Sequence, residues 1–178
     1  PSAPVIRMER FDGGIASLRE AGFNVVVGNN ALRRYHHMAG IDKERADDLN
    51  EMFRNPKIDG IIATTGGYSS NRILELIDYA AIQRNPKVFL GISDITVLLN
   101  AIYKKTGLIT FHGPYLVHGI CGMSDYVKRN LLKVISNSSN IGDLERLTEW
   151  EELKKGQARG RLLGGNSSSI RNLIGTEY

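Results

Sequence analysis

A chain of 178 residues, 42% hydrophobic and 24% charged, has the make-up of one ordinary globular domain, or one and a fraction. No apolar run approaches the ~18 residues that span a bilayer, and the opening Pro1-Ser2-Ala3-Pro4 is no signal peptide. The net charge of +4 is mild, and its basic pairs (Arg33-Arg34, Lys104-Lys105) are interleaved with acids, which argues against nucleic acid or a membrane as partner.

Taken in chain order, residues 7–21 carry Phe11, Ile15 and Leu18 at helical spacing, and Gly22 follows as a helix stop. Residues 23–27 read as a strand. Residues 29–41 form an irregular loop holding His36 and His37. Residues 42–53 make a polar helix with one narrow apolar face (Ala46, Leu49, Met52, Phe53), with Asp42 as N-cap and Asn55-Pro56 as the stop. Residues 58–63 are β-branched and apolar, the pattern of a strand buried on both faces. Gly66-Gly67 break it, and Ile73, Leu74, Leu76, Ile77, Ala80 and Ala81 then recur at helical spacing.

Residues 87–92 are another buried strand, ending in Gly91-Ile92-Ser93-Asp94, with Asp94 placed to N-cap a helix over 95–105 that stops at Gly107. Residues 108–111 are a short strand followed by His112-Gly113-Pro114. Residues 123–136 are a helix capped by Ser124. Beyond Asn137 the texture changes: 147–153 and 158–163 alternate apolar and polar residues, suggesting two antiparallel strands, before Gly164-Gly165-Asn166 leads into a last helix. Strand–helix alternation with short connections predicts an α/β fold: a doubly wound, mostly parallel sheet flanked by helices, with a short antiparallel extension near the C-terminus.

In such sheets functional groups gather at the carboxyl ends of the strands. Three ends stand out: 66–70, Ser93-Asp94 and 112–114. Ser69-Ser70 sit in a sharp strand-to-helix turn, where free helix N–H groups face a side chain. Either serine also serves there as a plain N-cap. The single cysteine, Cys121, excludes an internal disulfide, suits a reducing cytoplasm and reads as a buried or loop thiol. No His or carboxylate pair has a metal-ligand spacing, and no cofactor motif is present.

Residues 61–74, then Gly91-Ile92-Ser93-Asp94-Ile95-Thr96, then Thr110-Phe111-His112-Gly113-Pro114, then Gly164-Gly165-Asn166 together resemble the LD-carboxypeptidase family of serine peptidases, which includes murein tetrapeptide carboxypeptidases and microcin C self-immunity peptidases. The resemblance implies hydrolysis of an amide bond beside a D-amino acid, in a murein peptide or a conjugate such as microcin C. It places the nucleophile at Ser70. The remaining catalytic Glu and His would lie in a C-terminal domain beyond Tyr178, and a strand would precede Pro1. That divides the chain into a nucleophile domain, 1–145, and a junction, 146–178, and leaves this chain inactive by itself.

With Ser70 as nucleophile, the N–H of Asn71 and one from the turn at Gly67 are the oxyanion donors. Arg72, Ser93 or Asp94 meet the charged ends of a peptide. His112 belongs to the site wall or, less in keeping with the family, acts as base. Asn166 lines the site or shapes a turn. His36, His37 and His118 are loop or surface residues. A small peptide or muropeptide substrate and a homodimer are the partners implied. The competing reading is a non-catalytic small-ligand-binding α/β module, similar to sugar-binding regulators and periplasmic receptors, whose serines would bind a ligand. An apolar face near Leu162, Leu163, Ile170 and Leu173 is expected where the further domain would pack.

Overall fold

The computed structural model describes residues 2–137, 141–148, 151 and 153–178. They fall into two compact units, one comprising residues up to Gly122 together with Gly164–Tyr178, the other Met123–Leu163.

The first unit is built on a parallel sheet of β1 (Gly60–Ile62), β2 (Val88–Gly91) and β3 (Phe111–His112), in that spatial order. Ile62 lies opposite Leu90, and Gly91 opposite His112, so the three strands end at one level. The central strand is the apolar one, with Phe89 and Leu90 buried, as a strand covered on both faces requires. Around it pack α2 (Asp42–Arg54), α3 (Tyr79–Arg84) and α4 (Thr96–Thr106). Their apolar faces supply Phe53, Ile82, Val97 and Ile102, all at 0% exposure. Burying each such side chain contributes roughly 1.5–3 kcal/mol. α1 (Met8–Glu20) buries Phe11, Ile15 and Leu18 and ends at Gly22, whose φ of +92° suits a glycine stop.

Several elements differ from their sequence pattern. Residues 23–27 join no strand ladder, and Phe23, Val26 and Val27 are exposed. The expected helix after the glycine turn is split into a 3₁₀ helix, Ser70–Leu76, and α3, because Asp78 accepts the Ala81 N–H at 2.8 Å and starts a new helix. Asp42 is the first residue of α2 rather than its cap, since its carboxylate is taken by arginines.

In the second unit α5 (Asp125–Ile135) is capped by Ser124, whose Oγ accepts the Val127 N–H at 3.4 Å. Among the described residues no strand of the expected antiparallel extension is present: 147, 148, 151, 153 and 158–163 carry none, and the rest of the 147–153 segment lies outside the described residues. Leu162 and Leu163 are exposed there. In the first unit, by contrast, α6 (Ser167–Ile170) runs into a 3₁₀ turn that buries Leu173 in the core, so the expected apolar face does not extend to it. Among the described residues no helix is long and apolar enough to cross a membrane.

Candidate active site

The three strands deliver three loops to one end of the sheet, and hydrogen bonds tie them together. Beyond β1 the chain continues beside the 115–117 loop, with Leu116 N–H donating to Ala63 O at 3.0 Å and Val117 N–H to Thr64 O at 3.1 Å. Beyond β2 comes a sharp strand-to-helix turn. Ser93 holds φ at +63°, a left-handed conformation that costs a non-glycine residue roughly 1–2 kcal/mol. Gly91, two residues earlier, makes the turn sterically feasible: a Cβ there would lie 2.5 Å from Ile95 Cγ2. A glycine, one residue and a strained serine at a strand-to-helix turn form the geometry that thrusts a side chain off the top of a sheet.

Asp94, next in sequence, is 5% exposed, and its carboxylate does not cap α4 as its position suggests. It reaches across to the first strand's loop instead. Its Oδ2 accepts the N–H groups of Ser69 at 2.9 Å and Ser70 at 2.8 Å and the Ser2 hydroxyl at 2.5 Å. The acid therefore caps the 3₁₀ helix Ser70–Leu76, whose first N–H groups have no partner within the helix. Arg45, buried on α2, donates to Ser69 O and Oγ, both at 3.1 Å, from the other side.

A cleft of ≈340 Å³ opens over the elbow, lined by Ile92, Ser93, His112, Tyr115, His118, Gly165 and Asn166. Gly66 lies beside the serine: a Cβ on Gly66 would sit 3.1 Å from Ser93 Oγ and 3.7 Å from the Asp94 nitrogen. Gly165 (φ +142°) passes so close to α4 that a Cβ would lie 2.3 Å from Thr96 Cγ2. Asn166 follows, its N–H donating to Thr96 Oγ1 at 3.0 Å and its side chain capping α6 through Ser169 N–H at 3.1 Å. Tyr115 meets the His118 ring edge-on.

The residues singled out in the sequence thus separate. Ser93, His112 and Asn166 share the cleft. Ser70 does not: it is 1% exposed, its Oγ lacks a hydrogen-bond partner, and its N–H is spent on Asp94. Its hydroxyl thus lies buried under the turn, away from the cleft. Asn71 beside it is exposed, on the helix that Asp94 caps.

Gly67 has φ +145° and presses on the segment at Ser2-Ala3, where a Cβ would be 2.7 Å from the Ala3 nitrogen. Arg72 turns to Asp42, with Nη2 2.7 Å from Oδ2. That bond, with Arg45 behind it, holds the Asp42 carboxyl below its ordinary range. The Asp94 carboxylate is engaged in its buried contacts. Tyr115 and His118 are cleft residues that the sequence pattern did not place there, since a lone aromatic or histidine in a loop has no signal. For Ser93 the signal existed: Gly91-x-Ser93 at a strand end spells the start of an elbow. Among the described residues no group of three or more His, Cys, Asp or Glu is arranged to hold a metal.

The LD-carboxypeptidase N-terminal domain profile matches residues 1–113. The chain is 36% identical over 172 residues to a probable murein peptide carboxypeptidase of Bacillus subtilis (96% of this chain, 54% of the relative). It is 33% identical over 203 residues to the microcin C7 self-immunity protein MccF of Escherichia coli (99% and 59%). A solved structure of MccF in complex with aspartyl sulfamoyl adenosine superposes with a TM-score of 0.85 at 33% identity, covering 99% of this chain and 61% of that one. The chain spans little more than half the length of these curated relatives.

Proposed function

Because the chain belongs to the LD-carboxypeptidase family, we propose that it is the nucleophile-bearing part of a serine peptidase with Ser93 as the attacking residue. The observation that carries this is the strained elbow: Ser93, at φ +63°, stands at the end of the central strand and in the cleft, while Ser70 is buried. Strain at a functional turn of this kind persists because the surrounding packing imposes it.

The chemistry runs as an acyl transfer. Ser93 Oγ attacks the amide carbonyl as a base removes its proton. The carbonyl oxygen becomes an oxyanion, received by the Asp94 N–H and by a donor from the Gly66-Gly67 turn. The base returns its proton to the leaving amine, and water then hydrolyses the acyl-enzyme. His112 and His118 line the cleft, yet among the described residues no carboxylate bonds either of them, as an orienting group in a triad would. By this reading neither histidine is the base of a triad, and these 178 residues alone do not turn over substrate.

The substrate class is an amide beside a D-amino acid in a murein peptide, or a related conjugate such as microcin C, after the names of the relatives. A single thiol, Cys121, suits a cytoplasmic enzyme. The test is a serine-directed fluorophosphonate on the full-length enzyme, with the adduct mapped by peptide sequencing. Label on Ser93, lost in Ser93→Ala together with hydrolysis of an L,D-linked tetrapeptide, is the expected result. Label on Ser70 would restore that residue as nucleophile. Absence of label, with peptide still bound, would make this a ligand-binding module.

A further inference from the structure

One buried group at this end of the sheet has no part in the chemistry just described: the Asp94 carboxylate. Removing a carboxylate from water costs several kcal/mol unless strong donors replace the water. Here three do so on a single oxygen, from the Ser2 hydroxyl, the Ser69 N–H and the Ser70 N–H, at 2.5–2.9 Å. Ser2 is 1% exposed and couples back to the same turn, accepting the Ser69 N–H at 2.9 Å with its Oγ 3.0 Å from Ser69 Oγ. Next to it, Ala3 N–H donates to Gly66 O at 2.7 Å and Thr65 Oγ1 donates to Ala3 O at 2.6 Å. The Gly66-Gly67 turn is therefore clamped between residues 2–3 on one side and the Ser93 elbow on the other, where Gly66 lies against the serine.

Resting on the reading of Ser93 as nucleophile, we propose that Asp94 and Ser2 form a positioning unit that holds the glycine turn at the register needed for attack, and so set the acylation rate rather than substrate affinity. The reason is geometric. Asp94 contributes its backbone N–H beside Ser93, and through its side chain it anchors the loop that brings the second donor. One residue thus ties both halves of the oxyanion site. A shift of ~1 Å between such halves costs about 10²-fold in rate. Neither side chain reaches the cleft, so binding is left alone.

The experiment uses the full-length enzyme, with fluorophosphonate acylation rates, steady-state kinetics on an L,D-linked peptide, and thermal melts. Asn at position 94 keeps one carbonyl oxygen for the three donors and loses the negative charge that strengthens all three bonds. Asp94→Asn and Ser2→Ala are each expected to lower kcat and acylation about 10-fold, and Asp94→Ala about 10²-fold, with KM within about threefold of wild type. The order Asp above Asn above Ala at nearly constant melting temperature is the signature that a merely structural role would not produce. If Asp94→Ala fails to fold, Asp94→Asn and Ser2→Ala decide the matter. Wild-type kcat in both, or kcat and KM moving together, overturns the proposal. Should wild type carry no label on Ser93, the nucleophile reading has failed instead, and the two failures are told apart.

Discussion

Gly66 separates catalytic geometry from fold stability at a single methyl group. In Gly66→Ala the added Cβ would lie 3.0 Å from Ser93 Cβ, 3.1 Å from Ser93 Oγ and 3.7 Å from the Asp94 nitrogen. It fills the space an oxyanion needs beside the nucleophile and its first donor. Loss of one oxyanion donor raises the barrier by roughly 2.7–4 kcal/mol, so a 10²–10³-fold fall in acylation rate is expected. Stability should change little. Gly66 does not adopt a left-handed φ, and its tight contacts are with the Ser93 side chain. Reduced freedom of the unfolded chain, roughly 0.4–1 kcal/mol, offsets mild crowding.

The neighbouring glycine gives the opposite outcome. Gly67 sits at φ +145° with a would-be Cβ 2.7 Å from the Ala3 nitrogen, a backbone atom that cannot rotate away. Left-handed strain plus overpacking costs about 2–5 kcal/mol, or about 5–15 °C in melting temperature. Fluorophosphonate kinetics and thermal melts of the two full-length variants are the assay. Gly66→Ala acylating within threefold of wild type at an unchanged melting temperature would refute the placement of the oxyanion and of Ser93 beside it.

Three other outcomes follow from the same contacts. Ile82 is 0% exposed in the core, so Ile82→Ala should destabilise by about 2–5 kcal/mol, read from the denaturant midpoint. Asp42 is held below its ordinary pKa, first by Arg72 and also by Arg45. A depressed acid adds stability that is present above its unfolded value, near 3.8, and is lost as pH falls through the lower folded value. Asp42→Asn should therefore be less stable than wild type at neutral pH, and the gap should close as pH falls through the lowered folded value in pH-dependent denaturation. Gly165→Ala should both strain a φ of +142° and drive a methyl to 2.3 Å from Thr96 Cγ2. It is expected to lower the melting temperature and to displace Asn166 from the cleft, read as a weaker KM.

Much of the fold was legible before any coordinates, because period and punctuation are local properties. The β-branched run at 58–63, the apolar 87–92 and the glycine stops at Gly22 and Gly107 each encode a backbone state within a few residues, and the parallel sheet and its helices follow. The apolar segment 23–27 shows the limit of the same rule. Its residues favour an extended chain, but a strand needs a ladder partner, and none meets it among the described residues.

The site was legible in the sequence as a place, while the arrangement of its parts was not. The strand ends around Ser93, His112 and Asn166 do come together in one cleft. Which serine faces it was decided only by packing, since Ser69-Ser70 and Ser93 stand at similar strand-to-helix turns in the sequence. Asp94 lies directly before a helix, the position of an N-cap, yet its carboxylate serves donors 24, 25 and 92 residues away. Sequence by itself determined the elements and the end of the sheet where chemistry gathers, because hydrophobic period and turn residues act along the chain. Tertiary structure alone decided which serine is strained and open and which is sealed beneath a carboxylate, because burial and hydrogen-bond partners are set by contacts between residues far apart in it.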